Sequence, residues 1–583
     1  MRRKIILSAI FAVTATTMMA QQQETIRMNQ VALYPSQQKT AVVEAESAKK
    51  ISVTDVATGK RVGKPRAVRT STSPWSGKKR TVIDVANITA PGTYELSVNG
   101  ETQRFEVKSN ALTDITKATL KAFYLIRSGV EIEAQYAKEF ARPLGHPDTQ
   151  VMVHASAVSP GRPEGTIISS PLGWYDAGDY NKYIVNSAYS VGVMLQSYEQ
   201  NKAYFDRLDV NIPESKNQTA DILDEVMFNL KWMLTMQDPY DGGVYHKLTT
   251  PNFEGFVMPK DCHQQRYVIQ KSVTATYDFA AVMALASRLF EGNKDYSCFS
   301  ARAKDAALAA YNWAELHPKA LYNQFALNKE FDPDVNTGTY GDMDASDERL
   351  WAATELYLLT GDKVFLDAAQ PIAECDFMLP TWGNVTGLAM FTWIANGLSP
   401  RASSPDTQQI GENLKGKLLA YSDKLLATTP TSSFDTPSGN DPRGFGWGCL
   451  AENFCANGMT LLYAHKITGD KKYLEGALQN SDYILGRNAT GYCYVTGFGQ
   501  KSTMNPHHRI SAADGITAPM PGLLAGGPNP GQQDNMSGSL NYPSKQPDES
   551  YIDHADSYAS NEIAINWNAT LVAILGWIDA EMK

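Results

Sequence analysis

The sequence predicts a small all-β sandwich followed by a large all-α barrel, and three observations predict this order. Apolar and polar residues alternate before residue 108, as they do in half-buried strands. From residue 110 onward the apolar period becomes helical. Beyond that point a unit of helix, glycine-containing stop and second helix recurs, which indicates stacked helical hairpins.

The predicted β-domain covers residues 24–108. Apolar and polar side chains alternate over Tyr94–Val98, and Asn99-Gly100 then supplies a hairpin turn, because a type I′ turn needs positive φ at both central residues. Folding the chain back there sets Tyr94 opposite Phe105 and Glu95 opposite Arg104, two favourable cross-strand pairs. Short strands at this spacing predict an immunoglobulin-like sandwich.

The predicted helical domain covers residues 110–583. Thr113-Asp114 can cap its first helix, and residues 221–237 place their apolar side chains on one stripe. Helix stops are predicted at Gly292, Gly361 and Gly469. Repeated hairpins over this length favour an (α/α) barrel whose long loops meet at one end and carry function. Those loops are residues 151–181, 239–270, 428–448 and 490–556.

The N-terminus predicts export. Arg2, Arg3 and Lys4 precede a short apolar run and then Ala20, the pattern of a secretory signal peptide spanning residues 1–20. The apolar run is too short for a retained membrane helix, and no later segment has eighteen uninterrupted apolar residues. We therefore expect a periplasmic or extracellular protein with no membrane span.

Composition narrows the function classes further. The 583 residues include 53 Lys and Arg against 62 Asp and Glu, a net charge of −9 that argues against nucleic acid as a partner. Six cysteines without a CxxC motif exclude a disulfide framework and a zinc ribbon. Aromatic residues make up 10%, which suits stacking on sugars but also a large core.

Two loops hold the candidate chemistry. In Gly173–Tyr183, Asp176 and Asp179 lie three residues apart, and Trp174 and neighbouring tyrosines could wall a sugar site; an Asx-turn or a calcium loop is the alternative. Near the other end, Glu562 is expected to open an apolar helix over residues 563–578, where burial would raise its pKa as a general acid requires. A first-turn glutamate favoured by the helix dipole is the alternative there.

Other motifs are weaker. His507 and Arg509 lie together in a Gly-rich region, where a surface basic cluster explains them equally well. Gly411–Lys417 imitates a phosphate loop, but Leu418 stands where a hydroxyl must hold magnesium, so we expect an ordinary helix start. The sequence contains no GxSxG and no HExxH, which leaves serine-hydrolase and zincin readings without support.

Together these segments make the chain resemble glycoside hydrolase family 9, the inverting cellulases with an (α/α)6 barrel. The resemblance covers nearly the whole chain after the signal. It is carried by MNQVALYPSQQKTAVV (Met28–Val43), GWYDAGDYNKYI (Gly173–Ile184), IPESKNQTADILDE (Ile212–Glu225), TGFG (Thr496–Gly499), PHHR (Pro506–Arg509), PGLLAGGPN (Pro521–Asn529) and the order Tyr551, Asp553, Tyr558, Glu562, Asn568. The first segment is similar to the immunoglobulin-like domain that precedes the barrel in one branch of the family.

The resemblance implies a role for each matching residue. Asp179 would activate water as general base, Asp176 would orient that water, and Glu562 would protonate the leaving oxygen. The remaining candidates would contact the sugar: His507, Arg509, Tyr558, Asp553 and Trp174. Two carboxyls with separated pKa values are what glycoside cleavage needs.

The implied function is a secreted β-1,4-glucanase that acts on cellulose-type glucans as an endoglucanase or cellodextrinase. Xyloglucan and mixed-linkage glucan stay open as substrates, and a non-catalytic glycan-binding protein is the alternative. An epimerase or lyase on another helical barrel has no motif behind it. We expect a monomer.

The chemistry requires no cofactor, but the family binds metals. Related members carry a zinc site just before the catalytic loop; here Ser128 and Gly145 stand where two Cys ligands are expected, so only His146 remains and zinc is not expected. Calcium is undecided. Asp347 and Glu348 resemble a family calcium position, but Ser346 as N-cap with two first-turn acids explains them equally well.

Overall fold

The computed structural model describes residues 26–396, 405–440 and 444–583. The signal segment predicted over residues 1–20 lies outside these ranges. Within them, no helix is both long and apolar enough to cross a membrane.

The N-terminal domain is a β-sandwich of two antiparallel four-stranded sheets, with strand orders β1-β2-β6-β5 and β4-β3-β7-β8. Apolar side chains from both sheets, such as Val43, Ile83, Leu96 and Phe105, form the core between them. The strands are β1 (Ile26–Arg27), β2 (Thr40–Val43), β3 (Ser52–Asp55), β4 (Arg61–Val62), β5 (Arg66–Thr72), β6 (Lys79–Asp84), β7 (Gly92–Val98) and β8 (Glu101–Val107).

The predicted hairpin is confirmed. Asn99 and Gly100 have φ of 55° and 97°, the positive values that a type I′ turn needs. Tyr94 pairs with Phe105 and their rings stack, while Arg104 approaches Glu95 to 3.3 Å. The turn chemistry therefore sets the register of β7 and β8.

The second domain is helical, with five short strands inserted among its loops. The helices are α1 (Thr113–Leu125), α2 (Ala134–Ala137), α3 (Ile184–Gln200), α4 (Lys202–Phe205), α5 (Asp221–Thr235), α6 (Val273–Leu289), α7 (Phe299–Leu316), α8 (Gln324–Leu327), α9 (Ser346–Thr360), α10 (Lys363–Ala369), α11 (Thr386–Asn396), α12 (Pro405–Leu426), α13 (Ala456–Thr468), α14 (Lys471–Ile484), α15 (Arg509–Ala513) and α16 (Ile565–Glu581). A π-helix, Leu450–Cys455, leads into α13. The phosphate-loop imitation belongs to an ordinary helix, but it lies inside α12 and not at the expected helix start.

Two of the three predicted glycine stops are helix C-caps, whereas α6 ends at Leu289 with Phe290 as its C-cap, before Gly292. Gly361 and Gly469 are left-handed C-caps with φ of 77° and 70°, and Asp470 caps α14 through its side chain. Two expected N-caps are wrong. The expected cap at Thr113-Asp114 is wrong, because α1 begins at Thr113 and the Thr113 hydroxyl donates to Asp579 on α16. Ser346 is likewise the first residue of α9 rather than its N-cap.

The inner helices position the site. α3, α6 and α16 are buried along almost their whole length, and α3 packs against both others. Outer helices such as α1 and α7 pack against them with one buried face, while α5 packs against α3 and is buried along most of its length. A sheet of order β10-β9-β13-β12-β11 joins two of the long loops; its strands are β9 (Val151–Val153), β10 (Ile167–Ile168), β11 (Lys182–Tyr183), β12 (Lys247–Thr249) and β13 (Tyr267–Val268).

The β-sandwich is docked on the helical domain through buried polar contacts. Tyr34 donates to Asp579 at 2.5 Å. Arg80, with no exposed surface, reaches Asp548 at 3.3 Å and Glu549 at 3.1 Å. Because these groups are buried away from water, removing one partner would leave the other charge buried without compensation, which is strongly destabilising. The two domains are therefore joined by buried hydrogen bonds and ion pairs.

Candidate active site

The catalytic loop is fixed by its flanks. Lys182 and Tyr183 form β11, and α3 follows directly. Gly178 packs closely against the segment that carries His507: a Cβ at this position would lie 2.4 Å from the His507 carbonyl oxygen. Its N–H donates to Glu562 Oε1 at 3.3 Å, and its carbonyl accepts from Arg509 at 2.7 Å. The glycine between Asp176 and Asp179 therefore brings the two ends of the predicted site together.

Asp179 is held through one of its two carboxyl oxygens. Oδ2 accepts from Asn181 Nδ2 at 2.6 Å and from the Tyr183 hydroxyl at 3.1 Å. Both donors come from the loop that carries Asp179, so sequence and loop shape fix its orientation together. The residue lines the cavity described below, where its second oxygen can take a proton from water.

Asp176 is held more tightly. Asn186 on α3 donates to Oδ1 at 2.7 Å, and the Tyr340 hydroxyl donates to Oδ2 at 2.7 Å. The backbone N–H of Ile565 donates to the Asp176 carbonyl, which ties the loop to the start of α16. Burial and the neighbouring Asp179 charge raise the Asp176 pKa.

Glu562 faces this pair. It precedes α16, which begins at Ile565, so the expectation that Glu562 opens the helix is wrong and the dipole explanation does not apply. It is held instead by a β-bridge to His507. Burial, then the Asp179 and Asp176 charges, raise its pKa to about 8, against the opposing effects of Arg509 and the Gly178 N–H. The carboxyl therefore keeps its proton at neutral pH.

His507 and Arg509 adjoin Glu562. His507 Nδ1 lies 2.6 Å from the Ala555 carbonyl, so Nδ1 carries the proton and Nε2 is the acceptor nitrogen. Burial lowers the pKa of His507, which favours the neutral ring. Arg509 donates to the carbonyls of Glu254 and Gly178, so the contacts it makes brace two loops.

Tyr558 and Asp553 occupy different surroundings. Tyr558 is exposed and stacks against Trp447, with ring centroids 5.8 Å apart, as a wall beside the cleft. Asp553 instead accepts from the backbone N–H groups of Met504 and Asn505 at 2.9 and 2.7 Å. It therefore positions the segment that leads to His507, rather than facing the catalytic cavity.

The expectation that Trp174 walls a sugar site is wrong. The side chain has no exposed surface, packs on Phe123 at 4.6 Å and directs Nε1 toward Glu225 at 3.4 Å. Tyr175 and Tyr180 are also buried. Trp174 packs the loop against α1 and α5, whereas Tyr175 and Tyr180 pack on each other and on His146. Of these aromatic residues, only Tyr183 lines the cavity.

The candidate catalytic carboxyls open into a cavity of about 290 Å³. Asp176, Asp179 and Glu562 line it together. Its other walls are aromatic side chains and one further acid that the sequence did not single out: Phe253, Tyr340, Trp382, Trp447, Trp567 and Glu452. Flat apolar walls around convergent carboxyls are suited to binding and cleaving a sugar chain.

The expected zinc position does not fit zinc. A Cβ on Gly145 would lie 2.4 Å from Pro259 Cβ, so the ligand expected there has no room. His146 Nδ1 lies 2.9 Å from the Tyr175 hydroxyl, and burial lowers the pKa of this histidine to about 2. Within the described ranges, no three His, Cys, Asp or Glu side chains are grouped as a metal site.

The calcium candidates lie apart from the catalytic cavity. Asp347 Oδ2 accepts from the Val385 N–H at 2.7 Å. Burial raises the pKa of Glu348, and the charge of Asp278 on α6 adds to this effect. Both oxygens of Asp278 are buried without a hydrogen-bond partner in the described part of the chain. Asp278 is far from Glu348 in the sequence, so no motif indicated that its charge would act on Glu348.

Comparison with known families assigns the domains. The model of glycosyl hydrolase family 9 matches residues 113–575, and that of the cellulase N-terminal ig-like domain matches residues 21–103. The chain belongs to glycosyl hydrolase family 9. The resemblance drawn from the sequence motifs is therefore confirmed, and the protein is a glycoside hydrolase with an N-terminal immunoglobulin-like domain.

Its relatives are similar over almost the whole chain. A xyloglucan-specific endo-β-1,4-glucanase of Bacteroides ovatus is 52% identical over 558 residues, covering 96% of this chain and 94% of the relative. Endoglucanase D of Acetivibrio thermocellus is 32% identical, covering 95% of this chain and 83% of the relative. Among solved structures, a family 9 protein of Bacteroides ovatus superposes with a TM-score of 0.91 at 50% identity, covering 96% of this chain and all of that one.

Proposed function

We propose that this family 9 hydrolase is an endo-β-1,4-glucanase that inverts the anomeric configuration. The observation that carries the proposal is the cavity shared by Asp179 and Glu562, in which the pKa of the Glu562 carboxyl is raised to about 8, as is that of Asp176 beside it. A general acid needs such a proton, and a partner carboxylate completes the pair. A non-catalytic glycan-binding protein would have no use for a desolvated acid of this kind.

In the mechanism we propose, each residue acts from the position described above. Asp179 takes a proton from the attacking water, and Asp176, held by Asn186 and Tyr340, keeps that water in place. Glu562 gives its proton to the leaving glycosidic oxygen. Arg509 holds the Gly178 carbonyl, and His507 offers Nε2 to a sugar hydroxyl.

The preferred substrate we propose is xyloglucan. The support is the 52% identity to a relative whose name states that specificity, while the other named relative is an endoglucanase. Rates and product sizes on xyloglucan, cellulose, mixed-linkage glucan and cello-oligosaccharides test this. If long fragments are released fastest from xyloglucan, the proposed specificity is supported. If cello-oligosaccharides are instead shortened preferentially from one end, the enzyme is a cellodextrinase. Failure to cleave any of the four would favour the glycan-binding alternative.

We further propose that the two domains span residues 24–108 and 110–583, and that the second is an (α/α)6 barrel. The inner and outer helices of the fold support the barrel. We also propose that the protein is exported, with its signal peptide cleaved after Ala20, and that it acts as a monomer. N-terminal sequencing of the mature protein and light scattering check these last two points; retention of Met1 or a stable dimer would contradict them.

Calcium is proposed as a structural ligand at Asp347 and Glu348, which with Asp278 do not form a three-acid metal site in the described part of the chain. A divalent cation would offset the uncompensated charge of these buried carboxyls, and oxygen atoms are the ligands that calcium prefers. Elemental analysis of the dialysed protein and its melting temperature with and without chelator test the proposal. One retained calcium and a melting temperature that falls on chelation support it, whereas identical melting curves would remove it.

A further inference from the structure

Glu452 is a partly buried acid that the mechanism above does not use. It lies in the π-helix Leu450–Cys455 and lines the same cavity as Asp179 and Glu562. Interruptions of this kind in helical segments occur often at functional sites. The π-helix packs against α16, whose first residues follow Glu562. The position of Glu452 is thus fixed relative to the catalytic acid.

The Glu452 carboxyl has no partner in the described part of the chain. No ion pair or side-chain hydrogen bond reaches it there, although most buried carboxyls of this protein are paired, as Glu225 is with Arg127 and Glu355 with Arg288. Burial raises its pKa to about 7, and within residues 26–396, 405–440 and 444–583 no cation opposes that effect. A structural acid would have acquired a donor, because a desolvated and unpaired carboxyl costs stability.

The surroundings of Glu452 indicate which part of the cavity it serves. The hydroxyl of Tyr189, whose pKa the Glu452 charge helps to raise, donates to the Pro380 carbonyl two residues before Trp382. His507 instead contacts Phe256 and Tyr558. Glu452 and Trp382 both line the cavity, and the contacts of Tyr189 place the Glu452 charge near the segment that leads to Trp382. His507 lies beside Glu562.

Resting on the proposed glucanase function, we propose that Glu452 is a substrate-binding residue that accepts hydrogen bonds from sugar hydroxyls of the glucan lying against Trp382. Adjacent hydroxyls of a glucosyl unit can donate to both oxygens of one carboxylate. Such bonds to a charged acceptor are short and strong. The sugar hydroxyls would then donate the hydrogen bonds that Glu452 does not receive from the described part of the protein.

Binding to inactivated protein tests this without turnover. The dissociation constant of cellotetraose is measured by calorimetry for Glu562→Gln alone, and again with Glu452→Gln or Glu452→Ala added. Loss of hydrogen bonds to a charged acceptor should weaken binding by about 10- to 100-fold. Glu374→Gln, which removes an exposed acid, is the matched control and should change nothing.

Two further readouts separate binding from a structural role. In the otherwise unaltered enzyme, Glu452→Gln should raise KM much more than it lowers kcat. It should also keep or raise the melting temperature, because it removes an uncompensated, partly buried acid. An unchanged dissociation constant, a fall in kcat at constant KM, or a lower melting temperature in both variants would each overturn the proposal. If the unaltered enzyme cleaved no glucan, the proposed function would fail instead.

Discussion

The alkaline limb of the pH–activity profile should be set by Glu562. This carboxyl must hold a proton to protonate the leaving oxygen, and its pKa is raised to about 8. Relative to the ordinary value of 4.5, the site favours the protonated form by about 5 kcal/mol. Activity that depends on the acid should therefore persist through neutral pH and be lost as pH rises through about 8.

The loss can be measured as kcat/KM on a soluble glucan between pH 5 and 10. Above the limb, each pH unit should remove about nine tenths of the protonated enzyme. An aryl β-cellobioside with an activated leaving group needs little protonation, so its limb should be much shallower. The same substrate should partly rescue Glu562→Gln. A limb near pH 5, or equal limbs on both substrates, would refute the assignment.

The remaining predictions concern the base and the domain interface. Asp179→Asn keeps the shape of the base but cannot take a proton, so kcat should fall by about 10³ or more on glucan and aryl substrates alike; rescue by the aryl substrate would contradict this. Arg80→Met leaves Asp548 buried and unpaired, which should cost about 3–5 kcal/mol of unfolding free energy in denaturant titrations. The matched control, Arg66→Met, breaks an exposed pair and should cost less than about 1 kcal/mol; equal losses would show that the interface does not brace the barrel.

Local chemistry made part of the fold predictable. Asn99-Gly100 set a strand register, and Gly361 and Gly469 set helix ends, because each needs a backbone conformation that few residues adopt. Asp176, Asp179 and Glu562 could be named because they stand in motifs that resemble a known family. The structure brings these three to one cavity, as the motifs imply.

Other features depend on contacts that no spacing reveals. Trp174 stands beside the catalytic loop in sequence, but its side chain points into the core, and only tertiary packing decides which face of a loop is buried. Glu452, Trp382 and Phe253 reach the cavity from separate segments. The sequence predicts that α16 starts at Glu562, whereas the helix begins at Ile565. An apolar run shows where a helix can form, but not at which residue its hydrogen bonding begins.

The central claim, water activated by Asp179 while Glu562 protonates the leaving oxygen, is tested most directly by the configuration of the first product. Proton NMR of freshly cleaved β-1,4-glucan, recorded before mutarotation, distinguishes the two anomers at the new reducing end. Direct attack by water on the face opposite the leaving group predicts the α-anomer first. The β-anomer as first product would contradict the mechanism, because it requires a covalent intermediate in which a carboxylate, and not water, makes the first attack.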